Sequence, residues 1–299
     1  MARQVLSPSG KKPSFPLAPG PIFAQIQPMR YAIILVFPLL FLIFSCSPNN
    51  VTEEPSLGRY FDSAGVEGCF GLNDNGQGHF TIYQLKRYRD SAFSPASTFK
   101  IVNSLIGLET GVISDEKMVI PWDGVVRSHP EWNKDLSMEE AFRVSAVNYY
   151  QEVARRIGYR SMKHWIDTLG YGNRDISGRI DSFWLNSGPL RITADEQLGL
   201  VKKLYFDQLP FLRRSQEIVH KVMLREDSSH YRLSYKTGWG KTATGKELGW
   251  IVGWIEENNH PYFFVLNLDS PDSAINMSKI RLQILKGILA SQGFFHGNK

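Results

Sequence analysis

The chain has 299 residues, 42% of them hydrophobic, 21% charged and 12% aromatic, with 25 Gly and 16 Pro. That composition excludes a disordered acidic tail, a collagen-like chain and a coiled coil, and the length suits one large globular unit or two lobes sharing a core. Two cysteines, Cys46 and Cys69, are too few for a disulfide framework or a cysteine-based zinc site. The formal charge of +5 sits at the N-terminus: residues 1–45 carry Arg3, Lys11, Lys12 and Arg30 and no acid, which leaves +1 for the remainder. A nucleic-acid partner loses its electrostatic support.

In chain order, Met29-Arg30, the apolar run Tyr31 to Phe44 and then Ser45-Cys46 read as a secretory signal. The run is shorter than the roughly 20 residues that a bilayer-spanning helix needs. Ile43-Phe44-Ser45-Cys46 resembles a bacterial lipobox, with Phe44 bulkier than the usual residue; Cys46 then becomes the lipidated first residue of the mature chain. A plain signal peptide and an uncleaved anchor are the alternatives. Residues 1–28 lack a pattern, and Met29 is an alternative start. The leader therefore takes residues 1–45, a polar tether 46–62, and one folded domain 63–299, exported to the periplasm or facing it from a lipid anchor.

Two runs rich in β-branched and aromatic residues, Val66 to Leu72 and His79 to Leu85, flank Asn73-Asp74-Asn75-Gly76 and predict a hairpin. Cys69, between Gly68 and Phe70, reads as a small buried apolar residue. Helical patterns follow: one from Ser94-Pro95 to Gly111, then Ser137–Ser145, Tyr149–Ile157, Ser161–Leu169 and Ala194–Tyr205. Strand character returns in Tyr231–Thr237, Leu248–Ile255 and Tyr262–Leu268, and a last helix fits Asn276–Ser291. The pattern predicts an α+β fold: an antiparallel sheet built from both chain ends and flanked by helices, with an inserted all-helical lobe over roughly residues 112–220.

Three short segments carry chemistry. Ser97-Thr98-Phe99-Lys100 opens the helix that ends at Gly111, and positions i and i+3 share a face, so the Lys100 amine reaches the Ser97 hydroxyl. The helix N-terminus adds positive potential where an oxyanion forms. An alcohol becomes a useful nucleophile when a base takes its proton, and an unprotonated lysine is such a base. Lys236-Thr237-Gly238, followed by Trp239, ends a strand whose edge suits an added substrate backbone. Ser145-Ala146-Val147 brings a second hydroxyl. Each segment alone is common.

Taken together and in this order they resemble the serine β-lactamase and penicillin-binding protein superfamily, and most closely the class D (oxacillinase-type) β-lactamases. The similarity runs from about Gly65 to Phe295 and includes Tyr171-Gly172-Asn173, Phe183-Trp184-Leu185 and Arg281. Val147 stands where class A enzymes and most transpeptidases have Asn. No Glu occurs between Glu152 and Glu196, the stretch that holds the class A deacylation glutamate. The resemblance implies that Lys100, carboxylated on its amine by carbon dioxide, is the general base, and that no other cofactor and no metal is needed. Only a neutral amine attacks carbon dioxide, and burial can depress a lysine pKa by roughly 3–5 units. Phe99, Val147, Trp184 and Leu185 are the apolar residues available for that pocket.

The remaining roles also follow from the resemblance. Ser97 attacks a β-lactam carbonyl, Trp184 donates its indole N–H to the carboxylated lysine, and Ser145 with Lys236 relays a proton to the leaving nitrogen. Backbone N–H groups of Ser97 and Trp239 form the oxyanion hole, while Lys236, Thr237, Gly238 and Arg281 line the place of the substrate carboxylate. A β-lactam-binding sensor and a penicillin-binding transpeptidase or carboxypeptidase are the rival functions. Gly240 to Glu247 falls one residue short of a phosphate-binding loop and reads as a hairpin turn. No histidine spacing suggests zinc, and no Gly-x-Ser-x-Gly elbow is present. Trp122, Trp132, Trp165, Trp250 and Trp254 read as packing residues.

Overall fold

The computed structural model describes Gly20 and residues 50–299 except Ser187. Strands β1 (Val51–Glu53), β2 (Glu67–Asp74) and β3 (His79–Tyr83) come first, a separate ribbon of β4 (Val119–Ile120) and β5 (Leu136–Ser137) follows, and β6 (Leu224–Asp227), β7 (Arg232–Lys241), β8 (Glu247–Glu257) and β9 (His260–Ser270) complete the set. Seven of them form one sheet in the order β1-β3-β2-β9-β8-β7-β6. Its pairs are antiparallel except β1–β3, which is parallel. The wholly antiparallel sheet expected from the sequence is thus a mixed one, because the three-residue edge strand has too little chain to show a pattern.

The α-helices are α1 (Gly58–Asp62), α2 (Leu85–Asp90), α3 (Lys100–Glu109), α4 (Met138–Arg143), α5 (Val147–Leu169), α6 (Ala194–Tyr205), α7 (Arg213–Val222) and α8 (Met277–Ser291). The helices α3 to α7 lie in sequence between β3 and β6 and form the helical part. Capping boxes at Ser137/Glu140 and Thr193/Glu196 fix the starts of α4 and α6, satisfying amide groups that a helix leaves free at its N-terminus. The two helices expected over 149–169 are one element broken at Gly158, whose φ of 74° only glycine adopts readily. Helix α7 has no counterpart among the sequence expectations.

Residues 51–62, expected within a polar tether, are folded: β1 joins the sheet edge, and Leu57 and Phe61 are buried against the face that α8 covers. Cys46, the leader apart from Gly20, and residues 47–49 lie outside the described residues. Cys69 is a free, fully buried thiol whose pKa burial pushes up to about 12, so it behaves as a small apolar group.

Both faces of the sheet are covered. Period-2 alternation sends Phe70, Ile251, Ile255, Phe264 and Leu266 toward α8, and Cys69, Trp250, Val252, Trp254 and Phe263 toward the helical part. Strand β8 is buried at every position, which is why its sequence reads as an apolar run. Helix α3 is buried from Lys100 through Leu108 and forms the axis of the helical part. Placing the Lys100 amine on that helix, at its first residue, takes it out of water.

Candidate active site

Three elements meet at one cleft. The turn before α3 presents Ser97, the turn between α4 and α5 presents Ser145, and β7 presents Lys236. The Lys100 Nζ donates to Ser97 Oγ at 2.7 Å, and Lys236 Nζ donates to Ser145 Oγ at 2.9 Å and to its neighbour's carbonyl, Thr237 O, at 3.0 Å. Ser97, Ser145, Val147, Thr237, Trp239 and Arg281 line a cleft of about 700 Å³. The structure therefore brings together the residues that the three motifs singled out.

Local backbone geometry explains how the hydroxyls reach the cleft. Ala96 (φ 48°) and Ser145 (φ 58°) occupy the left-handed region without being glycine. Such conformations cost on the order of 1–3 kcal/mol each and persist where surrounding contacts hold them. At Ala96 those contacts converge on Trp184: its carbonyl accepts from Ala96 N at 3.1 Å and from Ser94 Oγ at 2.9 Å. Thr98 Oγ1 donates to Pro95 O at 2.7 Å and accepts from Gln197 Nε2 at 2.6 Å, which fastens the same turn to α6.

The Trp184 ring stacks on Phe99 with centroids 5.2 Å apart, and Phe183 and Tyr171 pack edge-on against Phe99 at 5.1 and 5.7 Å. Tyr150 closes another side, its ring centroid 5.5 Å from Lys100 Nζ. Leu185 packs half-buried against this cluster, whereas Val147 stands at the cleft wall. In these surroundings Lys100 is wholly inaccessible, and burial lowers its pKa to about 7. One further group points to chemistry: the Trp184 indole N–H is buried with no hydrogen-bond partner among the described residues. An unpaired buried donor is costly and calls for an acceptor.

Lys236 is equally buried. Its pKa falls well below that of an ordinary lysine, first because of burial and then because Lys100, Arg225 and Arg281 are cations nearby. Arg281 is buried too, and desolvation brings it down to about 10, so it stays charged at neutral pH. Its Nη1 donates to Gly238 O at 2.6 Å and its Nη2 to Ser278 Oγ at 3.4 Å, while Nε has no partner. The floor of the cleft thus presents positive charge to an anionic ligand.

Sequence reasoning missed several contributors. Trp132 packs against the core as expected, but it also meets His129 (tilted rings, centroids 4.2 Å apart), and both line the cleft, as does Trp239. Trp239 is itself 46% exposed, and its indole donates to Glu247 Oε2 at 2.7 Å. Asn186 Oδ1 accepts from Lys241 N at 2.9 Å and ties the Trp184 loop to the end of β7. Gly240 makes room for this contact, since a Cβ there would lie 2.5 Å from that same oxygen. Trp122 and Trp165 are half-buried, and Trp250 and Trp254 fully so. Residues 242–245 form the turn between β7 and β8, as expected of the near-miss phosphate loop. Among the described residues no group of three or more His, Cys, Asp or Glu side chains is placed to hold a metal ion.

Fold and site define a class first. A family model described as the penicillin-binding protein transpeptidase domain matches residues 69–290. The beta-lactamase OXA-48 of Klebsiella pneumoniae is 44% identical over 222 residues, covering 74% of this chain and 82% of that protein. Among solved structures, a class D β-lactamase, YbXI from Nostoc, superposes with a TM-score of 0.76 at 39% identity, covering 80% of this chain and 99% of that one. The C-terminal domain of the Bacillus licheniformis BlaR penicillin-receptor superposes with a TM-score of 0.76 at 30% identity, over 82% of this chain and 98% of that one. The chain belongs to the class D β-lactamases within the penicillin-binding transpeptidase family.

The buried amine has a measurable signature. Its folded pKa of about 7 lies below the ordinary lysine value of 10.5, so the unfolded chain binds the extra proton between these two values. Wild-type stability is therefore penalised fully below pH 7 and recovers as pH rises toward 10.5. In carbon-dioxide-free buffer, Lys100→Met is expected to exceed wild type in stability most at pH 7 and below. That excess should narrow by roughly 1.4 kcal/mol per pH unit up to about pH 9, as read by urea denaturation. A stability difference that does not vary with pH would contradict this burial argument.

Proposed function

We propose that this protein hydrolyses β-lactams through an acyl-enzyme on Ser97, with Lys100 carboxylated by carbon dioxide as the general base. The observation that carries the reading is the Lys100 Nζ, 2.7 Å from Ser97 Oγ and wholly buried, with a pKa lowered to about 7. A neutral amine at physiological pH is the form that reacts with carbon dioxide. The partnerless Trp184 N–H suits the group that results, because a carboxylate oxygen is the acceptor it lacks. When present, that group supplies a base that accepts a proton from the Ser97 hydroxyl or from water.

The chain's own residues do the rest. Ser97 Oγ attacks the lactam carbonyl, and the backbone N–H groups of Ser97 and Trp239 receive the developing oxyanion, a kind of contact worth about 10²–10³ in rate per donor. Ser145 Oγ, hydrogen-bonded to Lys236, gives its proton to the leaving nitrogen, and the Lys236 amine returns to Ser145 a proton that originates on Ser97, gaining one as it gives one up. Thr237 and Arg281 bind the substrate carboxylate beside Lys236, with charge-assisted hydrogen bonds from the guanidinium. Val147 and Leu185 keep the surroundings of Lys100 apolar, where a polar side chain would favour its protonated form.

A second reading has one specific support, the likeness to the BlaR receptor domain: a sensor acylates at the same site and keeps the acyl group. Turnover separates the two. Purified protein starting near Val51 is expected to open many equivalents of a chromogenic penicillin or cephalosporin; one equivalent followed by silence favours the sensor. Activity should fall in acidic, carbon-dioxide-depleted buffer, where Lys100 is protonated below its pKa of about 7, and return with bicarbonate at neutral pH. By intact mass, Ser97→Ala should show no covalent penicillin adduct, and Lys100→Ala should acylate slowly without release. Indifference to bicarbonate in depleted buffer would contradict the carboxylated base.

Export belongs to the same proposal. A basic start, the apolar run from Tyr31 to Phe44 and the following Cys46 support a lipid-anchored protein facing the periplasm, with plain secretion as the alternative. Cys46→Ala is expected to abolish incorporation of a labelled fatty acid and to shift the protein out of the membrane fraction. An unchanged fatty-acid signal would exclude Cys46 as the anchor.

A further inference from the structure

Strand β6 is the edge of the sheet, and its pairing with β7 slips between Leu224 and Glu226: Leu224 faces Ser234, and Glu226 faces Leu233. Arg225 is the residue left over at this bulge. A bulge re-aims a side chain that regular pairing would send elsewhere, and such irregularities recur beside active sites. Here the guanidinium turns over the sheet between the rings of Phe142 and Tyr235, 5.8 and 5.7 Å from their centroids.

Its donors reach three carbonyls on two different elements. Nε donates to Tyr235 O at 3.2 Å, Nη1 to Arg143 O at 3.3 Å and Nη2 to Phe142 O at 3.4 Å. Tyr235 immediately precedes Lys236 on β7. Phe142 and Arg143 end α4, three and two residues before Ser145. The contact between Ser145 Oγ and Lys236 Nζ joins these same two elements, 91 residues apart in sequence. Phe142 also lies under Lys236, its ring centroid 5.5 Å from Nζ.

We propose that Arg225 is a positioning residue for the proton relay of this site, its planar fork locking the Ser145-bearing turn to the Lys236-bearing strand. The inference rests on the proposed function above and adds to it a residue outside the motifs. Among the described residues Arg225 makes no ion pair with an acid. Glu226 beside it is engaged by Tyr231 and Lys286. The charged and titratable groups around the guanidinium are Arg143, Tyr150, Tyr235 and Lys236; those around Lys236 are Lys100, Arg225 and Arg281. Arg225 therefore contributes an uncompensated positive field at Lys236, which favours its neutral amine. Planarity matters as much as charge, because a lysine ammonium cannot span three carbonyls in one plane.

The test is single-turnover acylation of Ser97 by a penicillin, quenched and read by intact mass across pH, for wild type, Arg225→Met and Arg225→Lys. Arg225→Met is expected to slow acylation roughly 10- to 100-fold, the scale of a misplaced catalytic contact. It should also move the limb of the pH profile that Lys236 sets to higher pH, since losing a nearby cation raises the affinity of that amine for its proton. Arg225→Lys should slow acylation about tenfold while leaving that limb in place. Should Arg225→Met fail to fold, the rate of Arg225→Lys carries the comparison. Wild-type rates and an unmoved limb in both variants, with wild type acylating normally, overturn the role of Arg225 and leave the proposed function standing. A slowing that only tracks a lost folded fraction, equal at every pH, also overturns it. A wild-type chain that never acylates overturns the proposed function, and this inference with it.

Discussion

The removal of one ammonium group from water governs this structure. Lys100 sits at the first residue of a helix buried along almost its entire length, and among the described residues no carboxylate is paired with it. Its cheapest response is to give up its proton, which is what a pKa near 7 records. Much around it can be understood as support for that state. The rings of Phe99, Phe183, Trp184 and Tyr171 exclude water from the helix start. The Trp184 carbonyl holds the strained backbone at Ala96, so the side chain that dries the pocket belongs to the residue that aims the nucleophile.

A second amine repeats the arrangement across the cleft. Lys236 is as deeply buried as Lys100; burial lowers its affinity for a proton, and the neighbouring Lys100, Arg225 and Arg281 lower it further. A cluster of four basic groups would be unstable if all carried full charge in a low-dielectric setting. Two arginines stay charged because a guanidinium holds its proton far more strongly than an amine, and burial shifts the two lysines toward their neutral form. Glu247, an acid lining the cleft, is taken up by Trp239 and Lys241. The same imbalance of charge suits an anionic ligand.

Much of this was legible in the sequence, for reasons that differ by element. The long inner strands and the helix Ala194–Tyr205 are read directly, since their apolar runs, capping residues and turns are local signals. The candidate serines and lysines are legible because three short segments recur in a known order, and the structure brings them within hydrogen-bond reach. What stayed hidden depends on distant pairing. The edge strand Val51–Glu53 is three residues long and exists because Phe80, Thr81 and Ile82 offer it a partner. Helix Arg213–Val222 is mostly polar and gains its place by packing. Arg225 and Asn186 act through backbone atoms of residues far away in sequence, and a backbone carbonyl leaves no mark in the residue alphabet. The strain at Ala96 and Ser145 is invisible for the same reason.

The most direct test of the account is carbon-13 NMR of active protein equilibrated with labelled carbon dioxide. A single bound resonance is expected, absent from Lys100→Met and lost on acidification below pH 7, where the amine regains its proton. A fully active preparation with no such resonance would contradict the claim that burial of Lys100 creates the base.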